Sequence, residues 1–368
     1  MMKKITNSPH PAARLPMNFL NCPLPRGEGV GSLTALFTQI PLPLGEGCRR
    51  QAYRRRSNWV RAFGFLVIVS WLLVIAHPVL AQGQAGMDIA VLKAGVGARA
   101  LGMGSAFTAV ADNADAPYWN PAGLGSLSSS EITAMQTRLS TDTDHYYISY
   151  VRPAFGGTLG ISWIQVGLGN IAQTSGEVNP KTNEVINLSI FSYFSNAYMF
   201  SYGRELNDRI SVGLTAKYLT SDMFQIAGGQ AYGYSMTPGI LLRLVNRDSR
   251  QLTVGVKIDE LFNQQSWGTG TTERVPPKLR IGLAYKSPNP GLFAIDVSQT
   301  IKSGYAAEAS VGYEWAKDGL SLRLGYSDGG LTTGAGFVSG HTRIDYAYVT
   351  QRDLSKDNVH RISLTGIW

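Results

Sequence analysis

Three histidines, His145, His341 and His360, are the residues after position 81 best suited to proton transfer or metal ligation. They stand apart in the chain, with no HExxH or comparable spacing, so the sequence supports no metal site. No G-x-S-x-G elbow offers a serine nucleophile. His145 and His341 flank strand-like runs, and Ser339-Gly340-His341 reads as a tight turn. The expectation is solvated or interfacial imidazoles and no enzyme. The Gly-rich stretches 102–107 and 167–176 lack the lysine and the strand–helix context of a phosphate loop, so no cofactor is expected. Cys22 and Cys48 are the only cysteines, and residues 82–368 have none. A disulfide framework and a thiol nucleophile are excluded there.

Charged residues carry more information. Lys217, Lys257, Arg280, Asp296, Glu308, Glu314, Arg323, Arg343 and Asp345 fall on the polar face of alternating runs, with Arg209 and Arg361 as further members. Both signs occur. Ion pairs bracing an interior segment through Arg99, Asp112 or Asp115 are the expected use. A selective pore would favour one sign at a constriction.

The runs holding these charges have period two. In 209–221, Ile210, Val212, Leu214, Ala216 and Tyr218 alternate with Arg209, Ser211, Gly213, Thr215 and Lys217. The same holds in 252–258, 279–285, 305–315 and 320–327, which reads as strands with one polar face. Aromatics gather at strand ends (Tyr218, Tyr285, Tyr313, Trp315, Tyr326, Tyr348), like the girdles of a membrane barrel. The pattern predicts an all-β protein: a transmembrane antiparallel β-barrel of about 14 strands over 129–368. The runs lie near 131–138, 145–152, 157–167, 195–205, 209–221, 232–244, 251–258, 277–286, 291–300, 305–315, 319–327, 331–338, 342–350 and 359–368. Short turns follow the even-numbered runs, and long loops are expected at 168–194, 222–231 and 259–276. The final run places Ile362, Leu364, Gly366 and Trp368 on one face, which resembles the C-terminal signal read by the barrel-assembly machinery. The long loops carry Phe224, Ile226, Leu261, Phe262 and Trp267, which either pack on each other or form a landing site for an apolar ligand or partner. Pro238 interrupts the sixth run and is expected to kink the wall.

The net charge of +8 suggests nucleic acid, but its distribution removes that reading. Residues 1–81 hold ten basic and two acidic residues, and the remainder holds 23 of each. Arg54, Arg55, Arg56 and Arg61 precede the apolar core 62–76, and Val79–Ala81 fits a cleavage site, so 54–81 is read as a signal peptide. A membrane anchor would need roughly 18–20 apolar residues. Residues 1–53 contain "PLPRGEG" and "PLPLGEG", too short to be structural repeats, and are read as disordered sequence from a misplaced start. Export to the outer membrane of a Gram-negative bacterium is the expectation.

Residues 82–128 break the period. "GARALGMGSAFTAVADNADAPYWNPAGL" (97–124) is rich in Gly and Ala, with short helical pieces interrupted at Gly102 and Gly104. Asn120 suits a helix cap and Pro121 the first turn. The segment reads as a plug, or hatch, inside the barrel. The stretch 94–124 closely resembles the start of PorV/PorQ-type proteins within the FadL-like outer-membrane barrels, through Gly97, Arg99, Gly102, Gly104, Asp112, Asp115, Trp119, Asn120, Pro121 and Ala122. The likeness runs more loosely over 86–368, through "PPKLRIGLAY", "GYEW", "LSLRLGY", "IDYAYV" and "HRISL". It implies a fourteen-strand barrel with a hatch. It also implies one of two functions: an accessory role in type IX-like protein secretion, docking partner proteins, or a FadL-like passive channel for hydrophobic molecules such as fatty acids. The first is the leading expectation. A continuous apolar tunnel from Phe224 and Trp267 towards Asn120 would mark transport. A packed lumen with an apolar patch at the outer rim would mark docking.

Overall fold

A sheet of half-polar strands leaves no strand edge unpaired only by closing on itself. The computed structural model describes residues 89–140, 142–247, 249–327, 330–350 and 358–368. The leader and start-site expectations lie outside them. Sixteen strands form one sheet. In order they are β1 (Glu131–Ser140), β2 (Thr143–Ala154), β3 (Gly157–Val178), β4 (Val185–Asn207), β5 (Ile210–Phe224), β6 (Gln230–Arg247), β7 (Arg250–Asp259), β8 (Gln264–Trp267), β9 (Thr272–Glu273), β10 (Lys278–Lys286), β11 (Leu292–Thr300), β12 (Glu308–Lys317), β13 (Leu320–Ser327), β14 (Gly330–Ser339), β15 (Thr342–Val349) and β16 (Val359–Ile367). Fourteen of them build a closed antiparallel barrel, sealed by the β1–β16 and β5–β6 ladders. The hairpin β8–β9 hangs on the far half of β6.

All fourteen expected runs are strands, and the faces divide as the alternation requires. Leu320, Leu322, Leu324 and Tyr326 are exposed outward, while Ser321 and Arg323 are buried inside. Tyr218, Tyr285 and Tyr313 are likewise exposed on the outer face. Ile362, Leu364 and Trp368 share it; Trp368 stacks on Tyr150 at 6.1 Å and exchanges both backbone hydrogen bonds with Ser130. Among the described residues no helix is long and apolar enough to cross a membrane.

Two loop expectations need correction. Residues 168–194 are mostly ladder: β3 and β4 run on past the wall as a long hairpin joined at 179–184. Ile186, Leu188 and Ile190 alternate with polar residues there, which is itself a strand pattern. Residues 259–276 hold β8 and β9, whose Gln264-Gln265-Ser266-Trp267 carries no alternation to reveal it.

The N-terminal segment makes α1 (Ala90–Lys93), α2 (Ala98–Gly102), α3 (Ala116–Trp119) and a 3-10 turn, Pro121–Ser126. Its partners are inward-facing wall residues. Val91, Met103, Phe107, Trp119 and Leu124 form one buried cluster with Tyr147, Ile164, Ala197, Met199 and Leu219 of the wall.

Candidate functional site: the filled lumen and the break in its wall

An irregular backbone inside a barrel must find hydrogen-bond partners in the wall. Here the wall side chains supply them. Thr215 Oγ1 donates to the Pro117 carbonyl at 2.9 Å, Lys257 Nζ to Tyr118 at 2.8 Å, and Thr332 Oγ1 to Gly102 at 3.1 Å. Arg361 Nη1 donates to the carbonyl of Ala94 at 2.8 Å. Asp296 Oδ2 accepts the N–H groups of Phe107 and Thr108 at 3.0 and 2.8 Å, and Glu131 accepts that of Ala114 at 2.9 Å.

Asn120 fastens the centre of the segment. Its Oδ1 accepts the Ala122 N–H at 3.1 Å, capping a 3-10 turn rather than an α-helix. Its Nδ2 donates to Thr108 at 2.8 Å and to the wall carbonyl of Ile240 at 3.3 Å. Trp119 Nε1 donates to the Val96 carbonyl at 2.9 Å. Against this turn the wall is bare: Gly203, Gly213 and Gly239 stand in register on β4, β5 and β6. A Cβ on any of them would collide with Asn120, Pro121 or Leu124. Gly97, at φ +74°, lies against the Asp115 carboxylate, and Gly104, at φ +64°, lies against the backbone of Val311 and Tyr326. Gly102 meets Gly334.

The inward charges form two networks. Arg99 joins Asp112 of its own segment to Glu314 of the wall, with Nε–Oε2 at 2.8 Å. Glu314 also binds Arg323 at 2.7 Å, Arg323 binds Asp345 at 2.7 Å, and Asp345 binds Arg343 at 3.2 Å. Burial alone would lower the Arg99 pKa, but Asp112 and Glu314 outweigh it and hold the guanidinium well above its ordinary value. Among the described residues Asp115 has no carboxylate–cation bond; Asn113 Nδ2 donates to its Oδ2 at 2.9 Å, and burial pushes it up to about 6. The second network joins Lys217 to Glu260, and Lys257 and Arg280 to Asp259, both at 2.8 Å. Arg209 is exposed in the turn before β5 and does not face the lumen. Glu308 is half exposed and pairs with Lys278. Asp259, Glu260 and Glu131 were not legible as partners, because they sit at strand ends where alternation stops.

His145 corrects the expectation of a solvated imidazole. It points inward from β2 and is fully buried. His341 and His360 are exposed, the latter with Nδ1 at 2.7 Å from Tyr346 Oη. Among the described residues no group of three or more His, Cys, Asp or Glu could hold a metal.

The wall is interrupted at Pro238. The β5–β6 ladder passes through it, pairing Leu214 with Pro238. The β6–β7 ladder ends one residue away, at Gly239–Lys257. The Met236 carbonyl turns towards the β7 side, where it accepts the Leu261 N–H at 2.9 Å. Residues two apart turn the same way, so the donor that proline lacks belongs on that side. The chain leaves the wall at Glu260 (φ +56°), touches β6 through the single Leu261–Met236 backbone bond, and resumes a ladder with it through β8, at Tyr234–Gln264. Glu260 lines the break from inside, bonded to Lys217 and Ser235.

Of the loop residues, Phe224 and Phe262 are exposed and Ile226, Leu261 and Trp267 half-buried. Phe224 and Ile226 line a cavity of about 380 Å³. A second cavity, of about 480 Å³, lies at the short-turn end, lined by Arg99, Asp112, Arg243 and Glu314. The two share no lining residue and are separate cavities.

No protein-family model matches the chain, and no curated protein matches it in sequence. Solved structures do. The Pseudomonas putida toluene transporter TodX aligns with a TM-score of 0.52 and 13% identity, over 74% of this chain and 97% of its own. The Ralstonia pickettii toluene transporter TbuX aligns with a TM-score of 0.51 and 13% identity, over 74% and 98%. The fold is that of these FadL-type outer-membrane barrels. At such identity the likeness concerns fold alone. It bears on the fourteen-strand barrel and says nothing of PorV/PorQ.

Proposed function

We propose that the chain is an outer-membrane channel passing small hydrophobic molecules, with residues 89–128 as its hatch. The observation that carries this reading is the break at Pro238. A hydrophobic solute gains nothing from a water-filled exit, whereas a gap in the ladder lets it leave sideways into lipid. The shared fold with two toluene transporters supports the same reading. The ion-paired hatch supports exclusion of polar solutes, and the outward Ile362, Leu364 and Trp368 fit assembly by the barrel machinery into lipid.

Restoring the missing donor tests it. Pro238→Val should extend the β6–β7 ladder and lower uptake of radiolabelled toluene or a fatty acid about tenfold, in cells lacking other hydrophobic channels. Unchanged uptake would rule out the gap as the exit. Wild-type uptake no higher than in cells without the barrel would rule out the channel.

Protein docking keeps two specific observations in its favour, the filled lumen and an exposed apolar hairpin. Ile186, Leu188 and Ile190 are exposed along one face of the β3–β4 hairpin beyond the wall. Native mass spectrometry of protein taken gently from its own membrane separates the readings. A bound apolar small molecule supports the channel, and a stoichiometric protein partner supports secretion.

A further inference from the structure

The short-turn rim is electrically lopsided. The three consecutive hairpins β2–β3, β4–β5 and β6–β7 carry Arg152, Arg204, Arg209, Arg247 and Arg250, all exposed. None forms an ion pair among the described residues. Arg247 and Arg250 stand directly opposite each other in the ladder, an arrangement that repels unless an anion lies between. Arg152 and Arg204 sit on the outer face, and the Arg204 guanidinium folds over the β2–β3 turn, 4.0 Å from where a Cβ of Gly156 would lie. Of the acids in this arc, Glu205 is taken by Arg243 at 2.6 Å, leaving Asp208 and, in the sequence between Arg247 and Arg250, Asp248, two acids against five arginines. Across the rim, the turns after β10 and β12 offer Lys286 and Lys317, the latter beside Asp318.

Apolar side chains surround the arginines. Phe155 is 85% exposed at the tip of the β2–β3 turn, and Leu206 and Leu244 are 58% and 59% exposed on the outer side of β4 and β6. A water-facing rim has no use for them. A guanidinium fork binds a phosphate through two parallel hydrogen bonds, and the neighbouring apolar groups fit acyl chains.

We propose that this arc binds the headgroups of anionic phospholipids in the leaflet at the short-turn end of the barrel. The inference rests on the membrane-spanning reading above, with the short turns facing inward. It fixes which side of the barrel is held by lipid, independently of any transported molecule.

The test uses the full chain, refolded and checked by heat-modifiable gel migration, in vesicles of phosphatidylethanolamine with or without phosphatidylglycerol. Native mass spectrometry after detergent extraction should find phosphatidylglycerol retained over phosphatidylethanolamine. Each of Arg204→Gln and Arg250→Gln should cut that retention about fivefold, and Lys317→Gln should leave it unchanged. Phe155→Ser should weaken lipid retention without altering the response to inorganic phosphate, which separates a lipid headgroup from a free anion. Equal retention of both lipids, wild-type retention in the arginine variants, or displacement of the lipid by an acidic protein would overturn the proposal. Failure of the folded protein to insert into either vesicle would overturn the membrane reading, and this inference with it.

Discussion

Arg99 is the side chain on which the fixation of the interior segment depends most heavily. Among the described residues it alone joins a carboxylate of that segment to one of the wall, and it does so almost fully buried. Removing one partner of such a pair strands the others, at a cost of about 3–5 kcal/mol. Arg99→Ala should therefore speed hydrogen exchange across 97–127 while the folded barrel keeps its heat-modifiable migration. Unchanged exchange would mean that Arg323 compensates fully at Glu314. Asp115 makes a second prediction, with the opposite cause. Desolvation raises it to about 6 against the pull of Arg343, while Glu131 and Asp345 add to the rise. The docked segment thus holds a proton more tightly than a released one would. Docking should strengthen as pH falls through 6 towards the ordinary value near 4, by about 3 kcal/mol at most, and lose that advantage above 6. Exchange over 97–127, corrected for intrinsic rates, should be slower at pH 5 than at pH 7.5. Asp115→Asn should flatten the difference, and a variant that keeps it would shift the cause to Glu131. Arg99 and Asp115 were legible because both stand inside a segment too rich in Gly and Ala to be a strand. Glu314, the wall partner of Arg99, was legible by parity alone.

Among the elements, strands were easiest to read because each must satisfy lipid outside and polar groups inside, and period two records both demands. Where one demand lapses, the record fades. Gln264–Trp267 faces no lipid belt and pairs with β6 without alternation. The role of Gly203, Gly213 and Gly239 was invisible for another reason. Each is an ordinary polar-face residue in its own strand, and only the register brings the three together under Asn120 and Pro121. That register makes a prediction. Gly239→Ala places a methyl group where the Asn120 side chain now lies, and overpacking of this kind costs about 1–3 kcal/mol. Limited proteolysis should then release fragments near 120–127, with the barrel core intact. Gly169→Ala, where a Cβ meets nothing and the backbone is not left-handed, is the control for the added methyl itself. Equal resistance in both variants would mean that the slot is wider in solution than the packing implies.

For the whole molecule, the wall and its contents answer to different forces. The wall is closed by backbone ladders that run from β1 to β16 and back through β5–β6, so it does not need the interior segment to satisfy its hydrogen bonds. The segment does need the wall, since its carbonyls and N–H groups end on Thr215, Lys257, Asp296 and Arg361. Deleting residues 89–128 should therefore leave a folded barrel whose lumen is lined by Lys257, Asp296, Glu314 and Arg361, now hydrated. A fourteen-strand cylinder emptied in this way is wide enough for water and small polar solutes. Single-channel recording should show a stable conductance in the deletion variant and none in the intact protein. Arg99→Ala should give brief openings between the two. A silent deletion variant with normal heat-modifiable migration would mean that the extended hairpins and β8–β9 close the lumen instead, and the hatch role would pass from residues 89–128 to the loops.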